Sequence, residues 1–468
     1  MTHPKLVTVH GQVVSYDAGT DTLTASKDIR DRHAVRMIDI DGLAYLYFRD
    51  EKNTAVYIAF DGGATRAVAT IPNRSCGFAL SSHGTAFVCL EQNGLFLSAE
   101  PNGIMNLKPW MEVYERFWLL HDDSIENLLI SNDWISPSLK QRIRREDVSF
   151  EANFSLRIGN FSTFLVDIAK YSYTDQARSV YLIHDKYKIE RLDLFKPLLY
   201  FSAYGKDNSF ILLRMCISSI ENAGNYCGDY MIITNMSENY IKNILDFIDP
   251  ARLHVVFVPV HDVIDMVCAR FKVYDIDIIS RYQPIMYCDF DIICNSSILE
   301  TLIKLSSQSG ISVKSEGAID LPHYGSVLIA GDEHCKPQKL LGFNSGVIGF
   351  RNIDDVRWAF KAVIHSIYSH LRHGLARTSQ EAYDQPAANY IFSKLSSYDL
   401  DVMEPFVHPW PPERNEDITG RGLVHFCGGV GADHKVNRIR SYYDHIFSTA
   451  PAVKQNRLMS SMERLIGR

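Results

Sequence analysis

Near residue 195 the sequence changes its period, and no other feature limits the possible folds as tightly. From there apolar strands alternate with helical stretches of about 10 to 18 residues, the pattern of an α/β domain with a mostly parallel sheet. The strands read KPLLYFSAY, DYMIIT, LHVVFVPV, PIMYCDFDII and GFNSGVIGF. Between the first two lies DNSFILLRMCISSIENAG, a helix with Asp207 or Asn208 as its cap and Gly224 as its stop. SENYIKNILDFI follows, with Ser237 as N-cap and Glu238 in the first turn. Two successive βαβ steps direct ligands to the carboxyl ends of the strands, so chemistry is expected there.

Residues 1–121 have a different texture. Short apolar and aromatic runs alternate with turn signals such as Asp17-Ala18-Gly19-Thr20, Asp61-Gly62-Gly63, Gln92-Asn93-Gly94 and Pro101-Asn102-Gly103, and nothing sustains a helical period. The region reads as all-β. A repeat of roughly 40 residues begins near Gly11, Leu43 and Thr85, and three such units would make a β-trefoil. The last unit, GTAFVCLEQNGLFLSAEPNGIMNLKPWMEVYERFWLL, resembles the closing repeat of fascin-like and lectin-like trefoils. That resemblance implies shallow sugar-binding pockets. The alternative is a structural or docking domain with Trp110, Tyr114, Phe117 and Trp118 in its core. Residues 122–194 read as a connecting region with some strands, in which the charge run KQRIRRED is expected to be a solvated helix face.

The composition excludes several classes. With 468 residues, 46% hydrophobic and 22% charged, the chain can bury a large core over two or three domains. A net charge of -7 supplies no basic field for nucleic acid. No stretch approaches the roughly 20 apolar residues of a membrane span, and no basic segment leads into an apolar run at the N-terminus, so a cytoplasmic protein is expected. The nine cysteines form no CxxC pair and lie mostly in apolar runs, as reduced buried thiols do.

The chemistry-bearing feature is Met286-Tyr287-Cys288-Asp289-Phe290-Asp291-Ile292-Ile293, an apolar strand broken by two carboxylates. Two charges at the end of a core strand are costly unless paired or bound to metal, and hard carboxylate oxygens favour manganese or magnesium. Their structural alternative is capping of the next helix, which Asn295 or Ser296 would do better. In Val424-His425-Phe426-Cys427-Gly428-Gly429 a histidine ends an apolar strand beside a glycine-rich turn. A neutral imidazole there completes an Asp289, Asp291, His425 set, while Gly428, Gly429 and Gly431 admit phosphates and Lys435 adds charge. Asn344 and Ser345 interrupt GFNSGVIGF with an amide suited to sugar hydroxyls. Tyr383-Asp384-Gln385-Pro386 opens a helix that Asp384 can cap.

Taken in order, Ala269-Arg270-Phe271-Lys272, CDFD, FNSGV, YDQ and HFCG resemble the motif series of retaining GT-A glycosyltransferases of the glycogenin and bacterial lipopolysaccharide galactosyltransferase type, family 8. The resemblance spans roughly residues 197 to 435. It implies a Rossmann-like nucleotide-diphospho-sugar transferase fold for residues 195–468, with Ala203, Asp207 and Asn208 holding uracil and ribose. It also implies metal ligation by Asp289, Asp291 and His425, contacts of Arg270, Asn344, Gly428 and Lys435 with the donor sugar and phosphates, and Asp384 and Gln385 beside the reacting anomeric carbon. Two positions depart from the pattern: Gly431 stands where the family has a lysine, Lys435 coming later, and Pro386 stands where it has an aspartate.

The implied activity is metal-dependent transfer of a hexose from a UDP-sugar to a glycan, lipid-linked or protein acceptor hydroxyl, with retention. Peripheral association with a membrane face fits such acceptors. Two alternatives stand beside it: a catalytically inactive glycan or sugar-nucleotide-binding protein, and a nucleotidyltransferase, for which AYGKDNSF offers only Gly205 and Lys206.

Overall fold

The structure is a computed structural model and describes residues 3–26, 33–61, 64–83, 87–122, 124–151, 155–164, 168–169, 178–184, 188–205, 207–372, 384–408, 422–427 and 432–447. The chain divides into two compact units, Met1–Leu194 and Phe195–Arg468.

The first unit opens with strands β1 (Lys5–Thr8), β2 (Val13–Asp17), β3 (Thr22–Ser26), β4 (Arg36–Ile40), β5 (Leu43–Arg49), β6 (Ala55–Asp61), β7 (Ala64–Val68), β8 (Phe78–His83), β9 (Phe87–Gln92), β10 (Leu95–Ala99), β11 (Met105–Lys108) and β12 (Phe117–Leu120). Six of them, β1, β4, β5, β8, β9 and β12, pair in turn and close on themselves, β1 meeting β12 from Lys5–Leu120 to Thr8–Phe117. This is a six-stranded barrel. Each third of the region supplies two barrel strands and one hairpin: β2–β3, β6–β7 and β10–β11.

Two hairpins meet where Ala25 N donates to Gly103 O at 2.8 Å. Gly103 has φ 87°, and a Cβ there would stand 2.6 Å from Ala25 O, so only glycine fits. Leu6, Leu46, Phe78, Leu90 and Phe117 fill the interior. The late aromatic run divides: Phe117 is buried, whereas Trp110 and Tyr114, candidates for the core by sequence, are exposed.

After β12 come α1 (Ile125–Ser131), β13 (Asp133–Ser136), β14 (Gln141–Ile143), β15 (Val148–Glu151), β16 (Ser155–Ile158), β17 (Phe161–Phe164), β18 (Ile168–Ala169), β19 (Ser179–His184) and β20 (Lys188–Phe195). They build a five-stranded and a three-stranded sheet. Trp134 is fully buried, its indole donating to Leu129 O at 2.9 Å. The charge run is not a helix face. Gln141–Ile143 is a strand and Arg145–Asp147 a single 3-10 turn, because Ile143 is its one apolar residue and no helical stripe can form.

The second unit holds a seven-stranded sheet. Its elements are β21 (Leu198–Ser202), α2 (Asp207–Ala223), β22 (Asp229–Thr234), α3 (Glu238–Ile244), β23 (Leu253–Phe257), α4 (Val263–Ala269), β24 (Ile285–Cys288), β25 (Ile292–Cys294), α5 (Leu299–Leu305), β26 (Ile311–Ala318), α6 (Ser326–Ala330), β27 (Leu341–Phe350), α7 (Ile353–Arg372), α8 (Asp384–Lys394), β28 (Tyr398–Asp399), β29 (Val407–His408), β30 (Leu423–His425) and α9 (Ala432–Phe447). The order is β23-β22-β21-β24-β27-β26-β28, with β25-β30-β29 as a second small sheet. Strands β23, β22, β21 and β24 run parallel, and β27 runs against β24.

Ser237 caps α3 as its sequence position indicates, its hydroxyl accepting from Tyr240 N. One core gathers sheet residues with α4, α7 and α8, including Cys268, Phe360 and Phe392. Another gathers α2, α9, β25 and β30, including Ile211, Ile293, Val424 and Tyr442. The chain leaves β21 toward β22 on one side and β24 on the other, which makes the carboxyl ends of β21 and β24 a topological switch point. Among the described residues no helix is long and apolar enough to cross a membrane.

Candidate metal and ligand site

Strand β24 ends at Cys288 in the large sheet and β25 begins at Ile292 in the small one. Asp289, Phe290 and Asp291 span that break. Asp289 N donates to Gly346 O at 2.8 Å, which ties this residue to β27. Ile292 pairs with His425 across β25–β30, and Phe426 N donates to Asp291 O at 3.0 Å. The pairing register therefore sets the imidazole beside both carboxylates. Nε2 of His425 is 3.1 Å from Asp291 Oδ1 and 3.7 Å from Asp289 Oδ2. One ligand atom from each of the three lies within 4.8 Å of the others.

The donor set fits a hard divalent cation, with two carboxylates and one imidazole from different segments. Asp291 Oδ1 is buried and accepts no well-aligned hydrogen bond, facing His425 Nε2 at 3.1 Å as a second ligand atom would across a shared ion. Gly346 forms one wall: a Cβ there would come within 2.7 Å of Asp289 Oδ2 and closer still to His425 Cε1.

The charges around this cluster are strongly perturbed. Burial pushes the Asp289 carboxyl up, against the pull of Arg270 and with the help of its neighbour Asp291. Burial acts on Asp291 in the same sense, yet His425 and Lys435 hold it well below the usual carboxylate range. Burial works to neutralise His425, but Asp291 holds it well above the ordinary imidazole value. Lys435, on α9, pairs with Asp291. Outside this triad, Cys427 Sγ stands 3.0 Å from His425 Nδ1.

Arg270 follows α4 and is the cationic centre of the site. Its guanidinium lies 3.3 Å from Asp289 Oδ1 and 3.3 Å from Asp384 Oδ2, donates to Ser345 O at 3.1 Å, and rests over the Tyr287 ring at 4.7 Å. Tyr287 in turn donates to Asp289 Oδ1. Asp384 and Gln385, both buried, open α8. Ser345 Oγ donates to Asp384 Oδ2 at 3.1 Å, and Gln385 Oε1 accepts from Ser345 N at 3.2 Å. Pro386 sits in the first turn of α8, where its missing N–H leaves nothing unbonded. Asn344 Oδ1 accepts from Gly346 N at 2.7 Å.

A cavity of about 400 Å3 opens beside these residues, with Asn208, Arg270, Asp289, Asp291 and Lys435 in its wall. Ala203 is buried at the end of β21, its N–H bonded to Ile233 O at 3.0 Å. Asp207 begins α2 and is exposed, with its carboxylate 3.4 Å from the Tyr240 hydroxyl. Neither lines the cavity, whereas Asn208 does. Gly428, Gly429, Gly431, Tyr383 and Lys206 lie outside the described residues.

Sequence reasoning missed several members. Ser202 and Tyr204 line the cavity with buried hydroxyls that make no hydrogen bond, and Glu316 of β26 binds the side chains of Asn344 and Gln385. No spacing signals them, because Ser202 and Tyr204 read as strand core and Glu316 as an ordinary strand-edge carboxylate.

No family model matches the chain, and no curated protein matches it in sequence. Solved structures do match. An active-site mutant of LgtC is 12% identical, with a TM-score of 0.36, over 52% of this chain and 95% of that one. The galactosyltransferase LgtC in complex with donor and acceptor sugar analogs is 13% identical, with a TM-score of 0.35 and the same coverage. The bifunctional glycosyltransferase WbbM is 12% identical, with a TM-score of 0.34, over 63% of this chain and 55% of that one.

Proposed function

We propose that residues 195–468 form a GT-A glycosyltransferase domain of the family 8 type, which moves a hexose from a UDP-sugar to an acceptor hydroxyl with retention of anomeric configuration. The observation that carries this reading is the convergence of Asp289, Asp291 and His425 at the end of β24, their ligand atoms within 4.8 Å of one another. These three would hold manganese or magnesium. When bound, the cation would offset the negative charge that builds on the leaving diphosphate.

The chain's own residues supply the rest of the chemistry. Asn208, with Ala203 and Asp207 nearby, marks the nucleotide end of the cavity, while Asp289, Asp291, Lys435 and Arg270 mark its phosphate end. In this reading Gly428 lies by the phosphates, and Asn344, Asp384 and Gln385 flank the sugar. Arg270 is held between Asp289 and Asp384, so its position does not depend on a ligand. Retention without a covalent intermediate fits Asp384 and Gln385 as they stand. The Asp384 carboxylate is engaged by Arg270 and Ser345, and Gln385 is a neutral amide bonded at both its oxygen and its nitrogen. Neither is a strong free nucleophile, so the acceptor attacks from the face the diphosphate leaves.

We also read the closed six-stranded barrel with its three hairpins as a β-trefoil. Its support is the threefold recurrence of two barrel strands and one hairpin per unit.

The test is nucleotide release from a panel of UDP-sugars with manganese. UDP is expected from at least one donor, with loss of release on addition of EDTA and in Asp289→Ala. Binding of UDP-sugars without release from any of them would instead favour an inactive binding protein. A stable glycosyl adduct trapped on Asp384 would overturn the front-face route.

A further inference from the structure

Glu316 stands on β26 where its register against β27 shifts, between Ser315 and Gly317. Such a bulge re-aims a side chain that regular alternation would send elsewhere. Here the carboxylate meets two amides: Asn344 Nδ2 donates to Oε1 at 3.0 Å, and Gln385 Nε2 donates to Oε2 at 3.3 Å. Burial and the nearby Glu316 carboxylate together push the Tyr324 hydroxyl up. Its ring is seated over the cross-strand pair Gly317 and Gly342, where a Cβ on either would come within about 2.6 Å of it.

We propose that Glu316 is a positioning residue of the site, whose carboxylate fixes the orientation of the Asn344 and Gln385 amides and so the course of β27 past the cluster Asp289, Asp291 and His425. A side-chain amide can turn over and exchange its oxygen for its NH2 group. A carboxylate only accepts, so it compels both NH2 groups to face it. The two carbonyl oxygens must then point away, and they take consecutive backbone donors: Ser345 N goes to Gln385 Oε1 and Gly346 N to Asn344 Oδ1. The next links reach Asp289, Arg270 and Cys427. Gly346 O accepts from Asp289 N, Ser345 O accepts from Arg270, and Asn344 Nδ2 also reaches Cys427 Sγ at 3.5 Å, beside His425. One acidic group thereby sets the orientation of two amides and the backbone segment they grip.

The variant that probes this is Glu316→Gln in the full chain, because it keeps the shape and replaces one accepting oxygen by a donor. One neighbouring amide must then turn or withdraw. In the wild type, the side-chain NH2 resonances of Asn344 and Gln385, assigned through Asn344→Asp and Gln385→Glu, are expected to exchange slowly with solvent. In Glu316→Gln at least one pair exchanges about 10-fold faster, at unchanged melting temperature. This measurement needs no substrate.

The consequence for turnover rests on the transferase reading. Manganese-dependent UDP release by Glu316→Gln is expected to lose about 10- to 100-fold in kcat, with KM for the donor within about threefold of wild type, as for a misplaced rather than a missing contact. Glu316→Asp, which keeps the accepting charge on a shorter stem, restores protection of one amide and part of the rate, and serves if the glutamine variant does not fold. Unchanged amide exchange in both variants overturns the proposal, as does wild-type kcat in Glu316→Gln. A wild type that releases no UDP while Glu316→Gln frees its amides defeats the transferase reading and upholds the positioning.

Discussion

At the scale of single residues, the cluster makes sharp demands on its neighbours. Gly346→Ala would place a methyl group against His425 Cε1 and Asp289 Oδ2, two of the three groups of the proposed metal site. We expect manganese affinity to fall about 10- to 100-fold by calorimetric titration, with the far-ultraviolet spectrum unchanged. Asp289→Asn exchanges a charged oxygen of the proposed metal site for a neutral amide, and the same titration should then show no saturable binding. The two aspartates and His425 were legible in the sequence because each is a polar break at the end of an apolar run, and such breaks have few inexpensive explanations. The residues that shape the site around them were not. Tyr204 and Ser202 look like strand interior until their hydroxyls are found unbonded. Gly346 looks like a strand defect until the imidazole beside it is seen, and Glu316 has a meaning only through the bulge that turns it.

Among the elements, regular period was readable and irregularity was not. The helix α3 begins after Ser237 and α2 gives way at Gly224, as the pattern of caps and stops indicates, but Asp207 and Asn208 lie within the first turn of α2 instead of capping it, because an acidic residue suits the first turn as well as the cap. Ser237→Ala should cost about 1 kcal/mol by urea unfolding, since one exposed capping bond is lost. The charge run after β13 forms a strand and a single 3-10 turn because charge alone does not define a face; a helix needs apolar residues at helical spacing, and that run has one.

A second element-level expectation concerns pH. Asp332, just after α6, bonds Lys394 and Tyr390 of α8, and these partners lower its carboxyl from 3.8 to about 2. A carboxyl lowered in the folded state stabilises it above its unfolded pKa and loses that contribution as pH falls from about 4 through about 2. Asp332→Asn should therefore show a shallower drop in urea midpoint between pH 5 and pH 2.5 than the parent.

Across the whole molecule, each unit carries its own apolar cores, and every residue assigned to the proposed site belongs to the second. A fragment of residues 195–468 that retains the helical signal of its unit is accordingly expected to bind manganese as the full chain does. Weakened binding by a folded fragment would mean that residues 1–194 contribute to the affinity. The closed barrel of the first unit has a further consequence. Six strands paired edge to edge leave no free margin within the barrel wall itself, so unpaired margins in this unit are confined to its hairpins and its two smaller sheets. The open sheet of the second unit lacks that protection: its outermost ribbon, Leu253–Phe257, leaves Phe257 facing solvent. Clumping on heating should start along that ribbon, and a lysine in place of Phe257 should delay the onset of turbidity.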